Sequence, residues 1–129
     1  EPRDCVTREL NIHGFHTHPE RFGELAAYGS DAPEVEAMLR SHPSLAEPLH
    51  PRLPIRAGEV VWAARKEMAR TVDDVLSRRT RSLILDARAA LEAASRVAEL
   101  LARELGRDPG WALDQSESFQ ELAKGYVLE

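Results

Sequence analysis

Long apolar runs are missing from this 129-residue chain. No stretch approaches the roughly 18 uninterrupted apolar residues that a membrane-spanning helix requires. The N-terminus lacks the basic-then-apolar pattern of a secretory signal. The sequence therefore predicts a soluble chain with no transmembrane segment, and the cytoplasm is its default address. Cysteine occurs once, as Cys5, which excludes an internal disulfide and suits a reducing compartment. Catalytic signatures are missing too. There is no nucleophile elbow, no glycine loop that would cradle a phosphate, no dinucleotide-binding glycine fingerprint and no carboxylate–histidine zinc motif. Positive charge is in deficit, with a net charge of −5, which speaks against non-specific nucleic-acid binding, because phosphate recognition rests on clustered Lys and Arg.

What is present is the composition of a globular protein, with 43% apolar and 30% charged residues, enough to build a core rather than a disordered chain. The length suits one domain. The chain begins at Glu1 rather than methionine, so it is read as a processed product or a piece of a longer polypeptide.

Seven of the eight prolines (Pro2, Pro19, Pro33, Pro43, Pro48, Pro51 and Pro54) fall in the first 54 residues, where they interrupt long helices and central strands. Residues 1–56 are expected to form a loop-like, partly extended leading segment packed on the rest, with residues 5–12 extended. It should hold one short helix, capped by Asp31 with Glu34 in capping-box register and carrying Val35, Met38 and Leu39 as an apolar strip. Residues 57–129 are expected to form the helical core. Ala57, Val60, Val61, Ala64 and Met68 recur at helical spacing. Thr71 looks like an N-cap, with Asp73 and Asp74 in the first turn and Arg78 and Arg79 in the last. The next series, Ala87, Leu91, Ala94, Val97, Ala98, Leu101 and Leu105, is capped by Asp86 and closed by Gly106, with Ser95 as a place where it could divide. Asp108-Pro109 starts a last helix whose Ala112, Gln115, Phe119 and Leu122 share a face before Gly125. The fold class is all-α, a small bundle of about four to six helices.

Three groups of residues invite a functional reading. His13, His16 and His18 lie close together near Cys5, but the spacing matches no standard ligand pattern, and solvated or backbone-bonded loop histidines are expected rather than a metal site. Residues 57–81 carry Arg65, Lys66, Arg70, Arg78, Arg79 and Arg81, and within them the segment from Arg70 to Arg81 invites a helix-turn-helix reading. Asp73 and Asp74, however, would then face DNA phosphates. The favoured reading of Glu59, Glu67, Asp74, Arg78, Arg79 and Arg81 is a set of structural or inter-domain ion pairs, to which the planar fork of arginine is suited. Trp62 and Trp111 are read as core or interface aromatics.

Several stretches carry a family resemblance. They are Cys5-Val6-Thr7 to Ile12-His13-Gly14, Tyr28-Gly29-Ser30-Asp31, Leu49-His50-Pro51 to Leu53-Pro54, and above all Glu59-Val60-Val61-Trp62-Ala63 through Glu67 to Arg81. Residues 83–94 and Leu122-Ala123-Lys124-Gly125-Tyr126 add to it. Over roughly residues 5–128 the chain resembles the C-terminal region of FAD-dependent, respiratory-chain glycerol-3-phosphate dehydrogenases. The resemblance implies a single C-terminal domain of a larger flavoenzyme that oxidises sn-glycerol 3-phosphate to dihydroxyacetone phosphate and passes electrons to quinone. FAD would be bound by an N-terminal region of the same polypeptide, the partner of these helices. No catalytic or cofactor-binding residue carries over to a position here, so the chain alone is expected to be inactive, with homo-oligomerisation open. Peripheral attachment at the inner face of the cytoplasmic membrane is implied for the complete enzyme. The alternatives are an independent helical interaction module and a helix-turn-helix DNA-binding domain.

Overall fold

The structure is a computed structural model that describes residues 4–128; Pro2 lies outside them. The chain divides into two compact units, one ending at Met38 and the other starting at Leu39. Residues 39–56 therefore go with the helices that follow them. The change in composition after Pro54 does not mark a structural boundary.

In the first unit residues 5–12 are not extended throughout: Cys5 is, with φ −73° and ψ 115°, and the chain turns directly after it. Val6–Arg8 form a 3-10 turn, with the Glu9 and Leu10 N–H groups both donating to the Val6 carbonyl, at 3.2 and 3.1 Å. The described residues contain no strand that could pair with this segment, and these two bonds close the turn locally. Pro19–Asp31 is a run of 3-10 turns kinked at Gly23 and Gly29, where φ is 55° and 50°. Gly29 is required for a second reason, since a Cβ there would overlap the carbonyl of Gly14. Helix α1, Ala32–Ser41, follows directly and stops before Pro43. It buries Val35 and Leu39 and leaves Met38 half-buried.

The second unit starts with the end of α1 and a short helix α2, Pro43–Ala46. A loop then folds back so that Leu49 N–H donates to the Ile55 carbonyl at 2.7 Å and Ala57 N–H to the Glu47 carbonyl at 2.9 Å. The prolines spare this loop donors it could not satisfy, while Leu49, Leu53 and Ile55 are buried in the core. Helix α3, Ala57–Lys66, lacks a Ser, Thr, Asp or Asn cap. Glu59 substitutes by accepting the Arg56 N–H at 2.8 Å, which is half of a capping box. Gly58 lets α3 approach its neighbours, because a Cβ there would stand 2.5 Å from the Leu39 side chain and 3.2 Å from Leu45.

The apolar strip predicted to reach Met68 ends sooner. Helix α3 stops at Lys66, and Met68 has φ 60° with 77% of its surface exposed. The reversal is held by Ala69 N–H reaching back to the Ala63 carbonyl at 3.0 Å and by Arg70 Nη1 on the carbonyls of Ala64 and Ala69, both at 2.9 Å. These bonds satisfy the last turn of α3. They also force a non-glycine residue into the left-handed region, which costs roughly 1–2 kcal/mol.

Thr71 opens the next helix as expected, but its body, Asp74–Arg79, is π-helical. This rare geometry is held by bonds such as Thr80 N–H to the Val75 carbonyl at 2.9 Å, and it is over-represented at functional sites. Val72, Val75 and Leu76 on it are fully buried. Arg81, at φ 56°, leads into α4, Ser82–Leu85.

Helices α5, Ala87–Leu105, and α6, Pro109–Lys124, form an antiparallel hairpin, and α3 and α4 also pack on α5. The buried face of α5 is Ala89, Ala90, Ala93, Ala94, Val97, Ala98, Leu101 and Ala102. Its small side chains let neighbouring backbones come close. Helix α5 is not divided at Ser95, which instead meets Ser116 of α6 through their hydroxyls at 2.9 Å. On α6 the buried face is Ala112, Ser116, Phe119 and Ala123, slightly rotated from the expected one, so Leu122 is 42% exposed and Gln115 half-buried. The described residues thus contain six α-helices and no strand, the all-α bundle expected at the upper end of its helix count.

Candidate functional site

Charged side chains converge where α3 ends and the π-helical segment begins. The convergence begins with a reciprocal cap. The Asp74 N–H donates to the Thr71 hydroxyl at 3.0 Å, while the Asp74 carboxylate accepts the N–H groups of Thr71 and Arg70, both at 3.0 Å. Arg78 Nη1 then bridges Asp73 at 2.6 Å and Asp74 at 2.9 Å, and Ser77 donates to Asp73 at 2.5 Å. Burial pushes the Asp74 carboxyl up, but the N–H groups of Arg70 and Thr71, the Thr71 hydroxyl and the Arg78 charge outweigh it and hold the group below its ordinary value.

Arg79 takes a different partner. Its Nε and Nη2 donate to the Glu67 carbonyl at 3.1 and 2.8 Å, and its Nε lies 3.8 Å from the Glu67 carboxylate. Asp74 is thus brought to Arg78, and Glu67 to Arg79. Glu59 stands in the first turn of α3, at the other end of that helix, with its carboxylate on the Arg56 N–H. Arg81 is exposed at its left-handed corner. The six residues singled out in the sequence are consequently two adjacent clusters, a helix-start carboxylate and a projecting arginine.

Further contacts, which sequence spacing did not reveal, tie loops and helices to α5. Arg65 of α3 makes two bonds to Glu104, at 2.6 and 2.9 Å. Arg96 reaches the Pro48 carbonyl and the Glu47 carboxylate, both at 2.9 Å. His50 Nδ1 accepts the Arg52 N–H at 3.2 Å while Nε2 meets Glu92 at 2.9 Å, which places the ring proton on Nε2 in the neutral tautomer. These partners lie about 40–50 residues apart in sequence, and only tertiary packing could pair them. Trp62 is buried, and Lys66 Nζ lies 5.7 Å from its ring centroid.

The three histidines of the first unit point to separate partners. His13 lies 3.4 Å from Asp31. His16 accepts the His18 N–H at 2.9 Å and stacks edge-on to Phe22 at 4.9 Å, and His18 lies 3.3 Å from Glu20. Among the described residues no group of three His, Cys, Asp or Glu is placed to hold a metal ion. Cys5 Sγ lies 2.8 Å from the Thr7 hydroxyl, whose hydrogen bond lowers its thiol pKa.

A flavin dinucleotide needs glycines that open a backbone cradle for its pyrophosphate at the start of a helix. Here Gly14 and Gly29 press on one another and Gly58 faces Leu39 and Leu45, so these glycines are filled by the fold. The groove between α5 and α6, about 550 Å³ and lined by Ser95, Arg103, Arg107 and Leu113 among others, is open and carries no such cradle. The described residues do not fit FAD.

A family model, that of the C-terminal domain of alpha-glycerophosphate oxidase, matches residues 5–111. Neither curated proteins nor solved structures hold a significant match to the chain.

Proposed function

The chain belongs to the family of the C-terminal domain of alpha-glycerophosphate oxidase, and on that premise we propose that it is the non-catalytic helical domain of an FAD-dependent enzyme that oxidises sn-glycerol 3-phosphate to dihydroxyacetone phosphate. FAD and substrate are held by an N-terminal region of the same polypeptide, and the helices maintain the fold or assembly of the whole. The match over residues 5–111 carries this reading. The use of the charged groups supports it. Arg78, Arg79, Arg65 and Arg96 are occupied by carboxylates and carbonyls of this chain, which suits scaffolding rather than turnover.

Hydride removal from a secondary alcohol requires a redox cofactor against the substrate, and the flavin supplies that chemistry from the other region. Electrons then pass to quinone, at the inner face of the cytoplasmic membrane. The attachment proposed there is peripheral; no helix among the described residues is long and apolar enough to cross a membrane.

Flavin content and glycerol 3-phosphate oxidation, measured on this chain and on the complete polypeptide, test the division of labour. The chain alone should carry no stoichiometric FAD and show no turnover, and the complete polypeptide should show both. Stoichiometric flavin in the isolated chain overturns the reading. The acceptor is read from the same assay: peroxide formed in step with substrate would put oxygen in the place of quinone.

A further inference from the structure

Exposed apolar side chains of the second unit gather where α4 meets the end of α6. Ile84 and Leu85 of α4 are 75% and 65% exposed, and Leu122 of α6 and Tyr126 just beyond it are 42% and 55% exposed. Ile84, Leu122 and Tyr126, together with Leu83, line one hollow of about 250 Å³, so the two elements present a single apolar surface. Arg88, in the first turn of α5, donates to the Leu128 carbonyl at 2.9 Å and holds that stretch against the start of α5, directly after α4. Leu128 itself is 87% exposed. Together the five side chains expose about 600 Å² in one patch, the upper end of what a monomer leaves open, and patches of that size mark interaction surfaces.

Area and charge both fit a second copy of this chain. Two copies meeting on this face would remove about 1,200 Å² from water before any polar rim is counted, above the roughly 1,000 Å² that a specific contact needs. The hollow gives each copy a recess for an apolar side chain of the other, as a self-complementary contact requires. The net charge of −5 makes two copies repel unless they meet where charge is locally balanced. Around the patch it nearly is. Arg78 sits between Asp73 and Asp74, Lys124 pairs with Glu121, and Arg52 pairs with Asp86. Arg81 and Arg88 add two further cations, so among the described residues five cations stand against four carboxylates. A two-fold contact brings like surfaces together, and an excess of one charge opposes it little. The same excess is too small to draw the patch onto an anionic lipid surface, which takes clustered Lys and Arg.

We propose that the face made by α4 and the end of α6 is a self-association surface, on which two copies of this chain pack about a two-fold axis with Ile84, Leu122 and Tyr126 at its centre. It does not rest on the flavoenzyme reading, and either can fail without the other.

Sedimentation of the chain across the micromolar range tests it. The parent should form a reversible dimer. Ile84→Glu and Tyr126→Glu, on separate elements, each set like charges against one another in an apolar contact and should raise the dimer dissociation constant tenfold or more. Both side chains are mostly in solvent, so the thermal midpoints should stay close to that of the parent. Leu113→Glu, in the α5–α6 groove, adds the same charge elsewhere and should dimerise as the parent does. A parent that stays monomeric throughout the range overturns the proposal, and so do glutamate variants that dimerise like the parent. Equal weakening by Leu113→Glu also overturns it, because net charge rather than this face would then be the cause. Binding of the parent to phosphatidylglycerol vesicles that both variants lose, with self-association unaltered, overturns it and puts a membrane on the face. The same loss against a separately produced flavin-binding region overturns it and puts that region there.

Discussion

Thr71 and Asp74 each satisfy a backbone N–H of the other, and this single exchange starts the segment that carries Arg78 and Arg79. Thr71→Ala removes the acceptor for the Asp74 N–H and should cost about 1 kcal/mol, read as a lower denaturant midpoint with unchanged slope. Asp74 adds a pH dependence of known sign. Its pKa in the folded chain lies below the ordinary 3.8, so its contribution to stability is complete above that value and is lost as pH falls through the folded pKa. Acid titration should therefore lower the midpoint below about pH 4, and Asp74→Asn should flatten part of that fall. An unchanged acid limb in the variant would show that the Arg78 and N–H contacts do not favour the ionised form. At this scale the sequence was informative wherever partners are near neighbours. Thr71, Asp86 and Asp108 were assigned as caps from local pattern, and each accepts a backbone N–H three residues on.

Among the helices, α5 shows how small side chains can matter more than large ones. Ala94 and Ala98 are fully buried, and α6, α3 and α4 all pack on this helix. Ala94→Leu should overfill that contact and cost about 1–3 kcal/mol, whereas Asp86→Ala should cost about 1 kcal/mol through its cap alone. The pair ranks packing above capping, and the reverse order in thermal denaturation would deny α5 its central place. Local pattern gave the span of α5 but not its continuity through Ser95, because that hydroxyl finds its partner on α6 rather than breaking its own helix. The face of α6 was read one residue off at two of its four positions. Spacings of 3-4-3 and 4-3-4 both fit a helix, and the choice between them belongs to the neighbour it packs on. Met68 was taken for core because it continues a helical spacing, and nothing local announces that Arg70 will end α3 two residues earlier.

For the molecule as a whole, stability should be unevenly distributed. The second unit holds the large buried cluster around Val72, Leu76, Val97 and Leu101, while Val6, Leu10, Ile12 and Phe15 of the first unit are more than half exposed. Amide exchange should thus be slowest at Ala93, Ala94 and Val97, limited by global unfolding, and fast over residues 4–28. Equal protection of both regions would contradict this ranking. Arg65, Arg78, Arg79 and Arg96 are all held by carboxylates or carbonyls of this chain, which accords with the proposal that the chemistry is held elsewhere.

The sequence by itself determined the all-α class, the helix starts at Asp86 and Asp108, the stop at Gly106 and the family. All of these are written in residues that act within one turn or in continuous motifs. Only the tertiary structure decided which arginine meets which carboxylate, that Thr71 leads into π-helical rather than α-helical backbone, and that Met68 and Arg81 stand exposed in left-handed corners. The reason is geometric. A cap needs partners three residues apart, whereas the contacts of Arg65, His50 and Arg96 join residues about forty or more apart, and their positions are fixed only once α3 and the preceding loop have packed on α5.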